Sequence, residues 1–222
     1  MTTTSSPTNK RRKNVSAIER LRTLPELFRG ADTTVRFGWD TRQASQYLHA
    51  WKKRGLISAL GGHSDVYANT MLYPRVDWSR GAMMAMPSAV CIGVEPLRLA
   101  GWATQIQQKP DIGVHQRQPY YKTDHFNVIP LPAEWRKKIS DGLHEVKERG
   151  SMPVLRPAWA LVDMIKREGW EGCGLDPDDI DWEYLNASDW ADLQVACATL
   201  DLDMEQHITA HYEPDFSYSS SP

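Results

Sequence analysis

Cysteine is scarce in this chain, and what there is does not pair up. The 222 residues hold three cysteines, Cys91, Cys173 and Cys197, widely spaced and without a CxxC. An odd number at such spacing argues against a disulfide framework or a structural zinc site, and for reduced thiols. Long apolar runs are missing as well. The longest, roughly Gly81 to Val94, is too short to span a bilayer and contains Pro87. Met1 to Asn14 is polar and then basic, without the apolar core of a signal peptide. These absences predict a cytoplasmic protein that makes no use of a membrane. Charge of one sign is missing from the C-terminal end: no Lys or Arg follows Arg167, while thirteen Asp and Glu follow Glu168. The first 80 residues carry the opposite excess, eight more basic than acidic side chains, within a chain of formal net charge −2. One end suits phosphates and the other repels them.

The signatures of common chemistries are also lacking. There is no Walker sequence, no GxGxxG and no GxSxG. His207 and His211 stand four apart, a zinc-ligand spacing, but Ile208 fills the place of the general-base Glu of HExxH, so they read as surface histidines. Asp176-Pro177-Asp178-Asp179 reads as a helix start rather than a metal cluster: an Asp cap, a Pro in the first position, and acids against the positive end of the dipole. Asp201 and Asp203 read as a solvated helix end. Of the nine tryptophans, Trp51, Trp102, Trp135 and Trp190 fall in helical segments where core packing accounts for them. The expectation is a protein that is not an enzyme and uses no cofactor and no metal.

What is present is a patterned N-terminal third between two polar ends. Residues 1–13 read as a disordered basic arm and 213–222 as a disordered tail. Ser16-Ala17-Ile18-Glu19 is a capping box. It opens a helix with an apolar stripe of Ile18, Leu21, Leu24 and Phe28, ended or kinked by Pro25 near Leu24. A short helix is expected over Gly30 to Phe37, with Ala31 and Val35 inward, then a turn at Gly38-Trp39-Asp40. The clearest helix follows, capped by Asp40 or Thr41 and stopped by Gly55. Its apolar face is Ala44, Leu48 and Trp51 with Tyr47 beside them. Arg42, Gln46, His49 and Lys53 recur at i, i+4, i+7 and i+11 on the opposite face. A strand over Leu56–Leu60, a turn at Gly61 to Asp65 and a returning strand Val66-Tyr67-Ala68 complete the set. Three helices and a hairpin predict a winged helix-turn-helix over residues 14–74.

Residues 75–212 read as a second domain of mixed α/β character. Helices are expected over Trp78 to Met86, Glu95 to Ile106 (entered through Pro96), Ala133 to Glu148, Ala158–Ile165, Pro177–Leu185 and Asp189–Leu200. The face of the Ala133 helix would hold Trp135, Ile139, Leu143 and Val146. Strands are expected over Asp111–Gln116 and Phe126–Leu131, and a loop over Gly150 to Pro157. The fold class is therefore α+β, mostly helical, with an N-terminal winged helix-turn-helix and a mixed α/β C-terminal domain.

One α-helix fits the major groove of B-DNA, where Arg pairs with guanine and Gln with adenine. The candidate DNA contacts are accordingly Thr41, Arg42, Gln43, Ser45, Gln46, His49, Lys52 and Lys53, with Arg42, Gln43 and Gln46 suited to base edges. His63 and Ser64 of the hairpin turn and the arm Lys10, Arg11, Arg12 and Lys13 are candidates for backbone or minor-groove contact. The plain alternatives are the solvated face of a surface helix, an ordinary hairpin turn and a solubilising tail.

The stretch from Ser16 to Asn69 resembles the N-terminal domain of AbiEi-type antitoxins of bacterial type IV toxin–antitoxin and abortive-infection loci. The residues that carry the likeness are Ala44-Ser45-Gln46-Tyr47-Leu48, then Trp51-Lys52-Lys53-Arg54-Gly55-Leu56-Ile57, then Val66-Tyr67-Ala68-Asn69. Further on, Ile92-Gly93-Val94-Glu95-Pro96-Leu97, Ala100-Gly101-Trp102, the strands Asp111–His115 and Phe126–Pro130, and Asp176–Trp182 look similar to that family's second domain. The resemblance implies that the first domain binds inverted repeats in the promoter of its own operon and represses it. It implies that the second counteracts a nucleotidyltransferase-like toxin. It supplies no catalytic residues. The basic arm and the acidic end depart from the family's pattern. That acidic end could meet a basic face of the toxin, fold back on the basic domain, or simply be solvated. Two other classes compete: a plain winged-helix transcriptional regulator with a ligand-sensing or dimerisation domain, and an enzyme targeted by a winged domain, which would need a carboxylate cluster the sequence does not display.

Overall fold

A computed structural model describes residues 16–144, 150–210 and 212. The predicted arm at 1–13 and tail at 213–222 lie outside these residues. The chain is α+β, with helices outweighing two small three-stranded sheets. The described residues fall into two compact units, one within Met1–Ser58 and Tyr67–Val76, the other within Ala59–Val66 and Asp77–Pro222.

In the first unit, helix α1 (Ala17–Leu21) begins as the sequence predicts. The Ser16 hydroxyl accepts from the Glu19 amide at 3.2 Å, and the Glu19 carboxylate accepts from the Ser16 amide at 2.8 Å. Leu21, Leu24 and Phe28 are buried, but Ile18 is 47% exposed and drops out of the predicted stripe. Asn69 is fully buried, and its Nδ2 donates to the Leu21 carbonyl at 2.8 Å, which also accepts from the Leu24 amide at 3.0 Å as the helix ends. Strand β1 (Leu27–Arg29) leads into α2 (Gly30–Phe37), the predicted span. Its inward face is not the predicted one. Val35 is 86% exposed and Ala31 is exposed, while Gly30 and Thr33 are buried and Phe37 packs on the core. The Thr33 hydroxyl donates to the Gly30 carbonyl at 2.6 Å, so a polar residue is buried without an unsatisfied group. Helix α3 (Thr41–Lys53) sets Leu48 and Trp51 against Leu21, Leu24, Phe28 and Ile57. Strands β2 (Ser58–Ala59) and β3 (Val66–Ala68) form the hairpin, in the sheet order β1-β3-β2.

The tip of that hairpin falls in the second unit. Leu60 and Val66 are buried with Ala82, Met86, Ile112 and Phe126. A Cβ on Gly62, which sits at φ +62°, would stand 2.2 Å from the Lys122 carbonyl oxygen, so only glycine fits this approach.

The second unit contains α4 (Trp78–Ala85), β4 (Val90–Ile92), α5 (Val94–Ala100), β5 (Asp111–His115), β6 (Asn127–Leu131), α6 (Ala133–Ile139), α7 (Pro157–Cys173) and α8 (Ala187–Leu200). In its sheet, β4 pairs antiparallel with β5, and β5 pairs parallel with β6. One core lies around α4 and the hairpin tip, and a larger one around α5, α7 and α8. Several predicted spans change. The helix expected to Ile106 stops at Ala100, where Gly101 takes a left-handed φ of 78°. The helix expected to Glu148 ends at Ile139 and tightens into a 3₁₀ turn over Ser140–Gly142, after which Leu143 bridges to Leu155 in extended form. Val146 lies outside the described residues. Pro177–Leu185 is two 3₁₀ turns, Pro177–Asp179 and Trp182–Tyr184, rather than one helix.

Trp78 and His125 stack with centroids 4.1 Å apart. Burial pushes the His125 imidazole below its ordinary value of 6.5, outweighing a hydrogen bond at Ala59 and the nearby Asp124. The charged form is therefore disfavoured in the fold. His125's contribution is complete above 6.5 and is lost as the pH falls through that value toward the lower folded pKa. The expected result is a Tm that drops as the pH falls below 6.5, with a shallower drop in His125→Phe. Equal slopes in the two proteins would contradict it.

Candidate nucleic-acid interface

The candidate interface is built on α3. The Asp40 carboxylate accepts from the Gln43 amide at 2.7 Å and fixes the helix start. At the other end Gly55 is left-handed at φ 68°, and Gly55 and Leu56 donate back to the Lys52 and Trp51 carbonyls at 3.0 Å each. Burial of Ala44, Leu48 and Trp51 sets the rotation of the helix. That rotation leaves Thr41, Arg42, Gln43, Ser45, Gln46, His49, Lys52 and Lys53 all exposed. Among the described residues, Arg42, Gln46, His49, Lys52 and Lys53 make no ion pair and no side-chain hydrogen bond within the chain. Their donors face water.

The charge around this helix is one-sided. The described residues of the first unit hold nine Lys and Arg against four Asp and Glu. Three of the four carboxylates, Glu19, Asp32 and Asp40, accept backbone amides at helix starts. They stabilise helix ends.

The other predicted contacts fare differently. His63 is exposed at the hairpin tip, with φ 62°. Ser64 is 6% exposed and its hydroxyl donates to the Gly61 carbonyl at 2.8 Å, so it closes the turn and is not available to a ligand. The tip is engaged with Lys122 and Asp124 of its own unit, where the Asp124 amide donates to the Leu60 carbonyl at 3.3 Å. Lys10, Arg11, Arg12 and Lys13 lie outside the described residues.

Sequence reasoning missed an aromatic group beside α3. Trp39 and Tyr47 stack with centroids 4.2 Å apart and an interplanar angle of 13°, and Phe37 and Trp51 close the cluster. The Arg20 guanidinium lies 5.1 Å from the Trp39 centroid and 4.9 Å from that of Tyr47. Spacing along the chain carries no signal for this meeting of three elements.

The second unit offers a cleft of about 740 Å³ lined by Leu99, Ala100, Val195, His144, Ser188, Arg156 and Asp192. Arg156 and Asp192 pair there at 3.0 Å, and Asp192 also accepts from the Trp159 indole at 3.0 Å. Burial pushes the Cys91 thiol up to about 12 and that of Cys197 to about 11, so both stay protonated at neutral pH. Among the described residues no group of three His, Cys, Asp or Glu is placed to hold a metal ion, and no helix is long and apolar enough to cross a membrane.

No protein-family model and no curated protein matches this chain. Among solved structures, the crystal structure of the RV2827C protein from Mycobacterium tuberculosis is similar at 13% identity and TM-score 0.47, over 88% of this chain and 79% of that one.

Proposed function

We propose that this chain is a DNA-binding antitoxin that represses its own operon, with its N-terminal part acting as a winged helix-turn-helix. In this reading α3 enters the major groove of promoter inverted repeats, and the C-terminal part counteracts a nucleotidyltransferase-like toxin. The observation that carries the DNA half is the face of α3. Arg42, Gln46, His49 and Lys53 stand exposed, and unpaired among the described residues, above a buried Ala44, Leu48 and Trp51. The cationic excess of the first unit supports it, since Lys and Arg on phosphates supply most non-specific affinity. The packing of Gly61 and Gly62 on residues 122–124 shifts the burden onto the helix and away from the hairpin. The toxin half rests on the resemblance of residues 16–200 to AbiEi-type antitoxins.

A gel-shift titration on the DNA just upstream of the gene, against an unrelated fragment of equal length, tests the reading at two salt concentrations. The expected result is selective binding that weakens steeply with salt. Binding to neither fragment would remove the DNA half. Co-expression with the product of an adjacent toxin-like gene tests the other half, growth rescue being the expected result and unrelieved toxicity the contrary one.

A further inference from the structure

We propose that Arg20, seated on the Trp39–Tyr47 stack, is a clamp for one backbone phosphate of DNA bound at α3. The proposal rests on the DNA-binding reading and adds to it a contact outside the reading helix.

A guanidinium on an aromatic platform is attracted to the ring quadrupole, and its N–H donors radiate in the plane. Among the described residues Arg20 has no ion pair and no side-chain hydrogen bond, so those donors have no partner among them. The group is half-buried, which limits solvent screening of any charge it meets. It lines a cleft of about 530 Å³ together with Glu19, Thr23, Arg36, Phe37 and Trp39. Arg36 is anchored there by donating to the Thr23 carbonyl. Among the described residues Glu19 is the one carboxylate lining the cleft, and its Oε2 accepts the Ser16 amide at 2.8 Å. Two guanidiniums against one tethered carboxylate leave the cleft cationic. Its aromatic wall excludes water without competing for an anion.

The platform also fixes where the clamp stands. Tyr47 belongs to α3, next to Gln46 and four residues after Gln43. At about 100° per residue its ring occupies the border between the buried face and the polar face. Arg20 is therefore tied to the flank of the helix that would read bases. Stacked there it cannot enter a groove, but a planar fork suits bidentate contact with a phosphate. Such contacts set the register of a protein on the duplex and carry no sequence information.

The test is an anisotropy titration of the full chain on the upstream duplex and on an unrelated duplex of equal length, over a series of salt concentrations. Wild type, Arg20→Ala and Arg20→Lys are compared, each checked for folding by thermal melting. Arg20→Ala should weaken binding to both duplexes by the same factor, roughly tenfold, and lower the slope of log K against log salt by about one. Arg20→Lys should keep the slope and bind several-fold more weakly. If Arg20→Ala folds but retains wild-type affinity and slope, the arginine is a packing staple and the clamp is overturned while the DNA reading stands. If Arg20→Ala does not fold, wild-type affinity in Arg20→Lys overturns the clamp. Wild type bound to neither duplex removes both.

Discussion

Asp163→Ala should destabilise the second unit by about 3 to 5 kcal/mol, the usual loss when one partner of a buried ion pair is removed. Asp163 lies on α7 and is fully buried. Its Oδ1 accepts from the Trp135 indole at 2.6 Å, and its Oδ2 accepts from Arg167 Nε and Nη2 at 3.0 and 2.9 Å. Arg167 keeps only 17% of its side chain exposed. Burial pulls its pKa down, and Asp163, with Glu168 beside it, more than restores it above the ordinary value. Alanine would strand a buried guanidinium and an indole N–H together. Glu168 remains as a second partner for Arg167, so the lower end of the range is expected. Asp163→Asn, which keeps an acceptor but loses the charge, should fall between the two. Urea unfolding read by linear extrapolation measures the loss. A value under about 1 kcal/mol would mean that this network behaves like a surface ion pair and does not hold α6 to α7. Replacing Asp163 and Arg167 together by Leu and Met should recover much of the loss, because the desolvation of both charges disappears with them.

Legibility in the sequence followed how local each cause is. The capping box at Ser16 and Glu19, the span of α2 and both ends of α3 depend on residues a few positions apart, and all could be read directly. The inward face of α2 could not. Counting apolar residues selected Ala31 and Val35, whereas the fold buries Gly30 and Thr33, because a hydroxyl satisfied by its own helix packs as a small group. Strand β4 was hidden for a different reason: Val90, Cys91 and Ile92 are buried on both faces, and such a strand shows no alternation. The turn after α6 makes a tertiary contact that no local pattern shows, since a Cβ on Gly142 would stand 2.3 Å from the Trp159 ring. The candidate interface divides along the same line. The exposed face of α3 was legible from helical spacing. The burial of Ser64, the packing of Gly62 against Lys122 and the placement of Arg20 on two aromatic rings each join segments distant in sequence, and no local pattern records them.

The Arg42→Ala, Gln46→Ala double variant should leave folding unchanged and remove most of the selectivity for upstream DNA. Both side chains are exposed and neither is hydrogen-bonded among the described residues, so the stability change should stay within about 0.5 kcal/mol. A bidentate pairing with a base edge is worth about 1 to 3 kcal/mol of discrimination. Removing two such pairings together should lower affinity for the upstream duplex by at least about thirtyfold. Binding to unrelated DNA should fall far less, by the one charge that Arg42 carries. This pattern is the reverse of the one expected for Arg20, where both duplexes weaken alike. The two residues are one helical turn apart, about 6 Å along the axis, so they would address neighbouring base pairs rather than a single one. Single variants should therefore relax preference at different positions of the site. If the double variant keeps wild-type selectivity, the polar face of α3 is a solvated surface, and the cationic excess of the first unit would then serve phosphates alone.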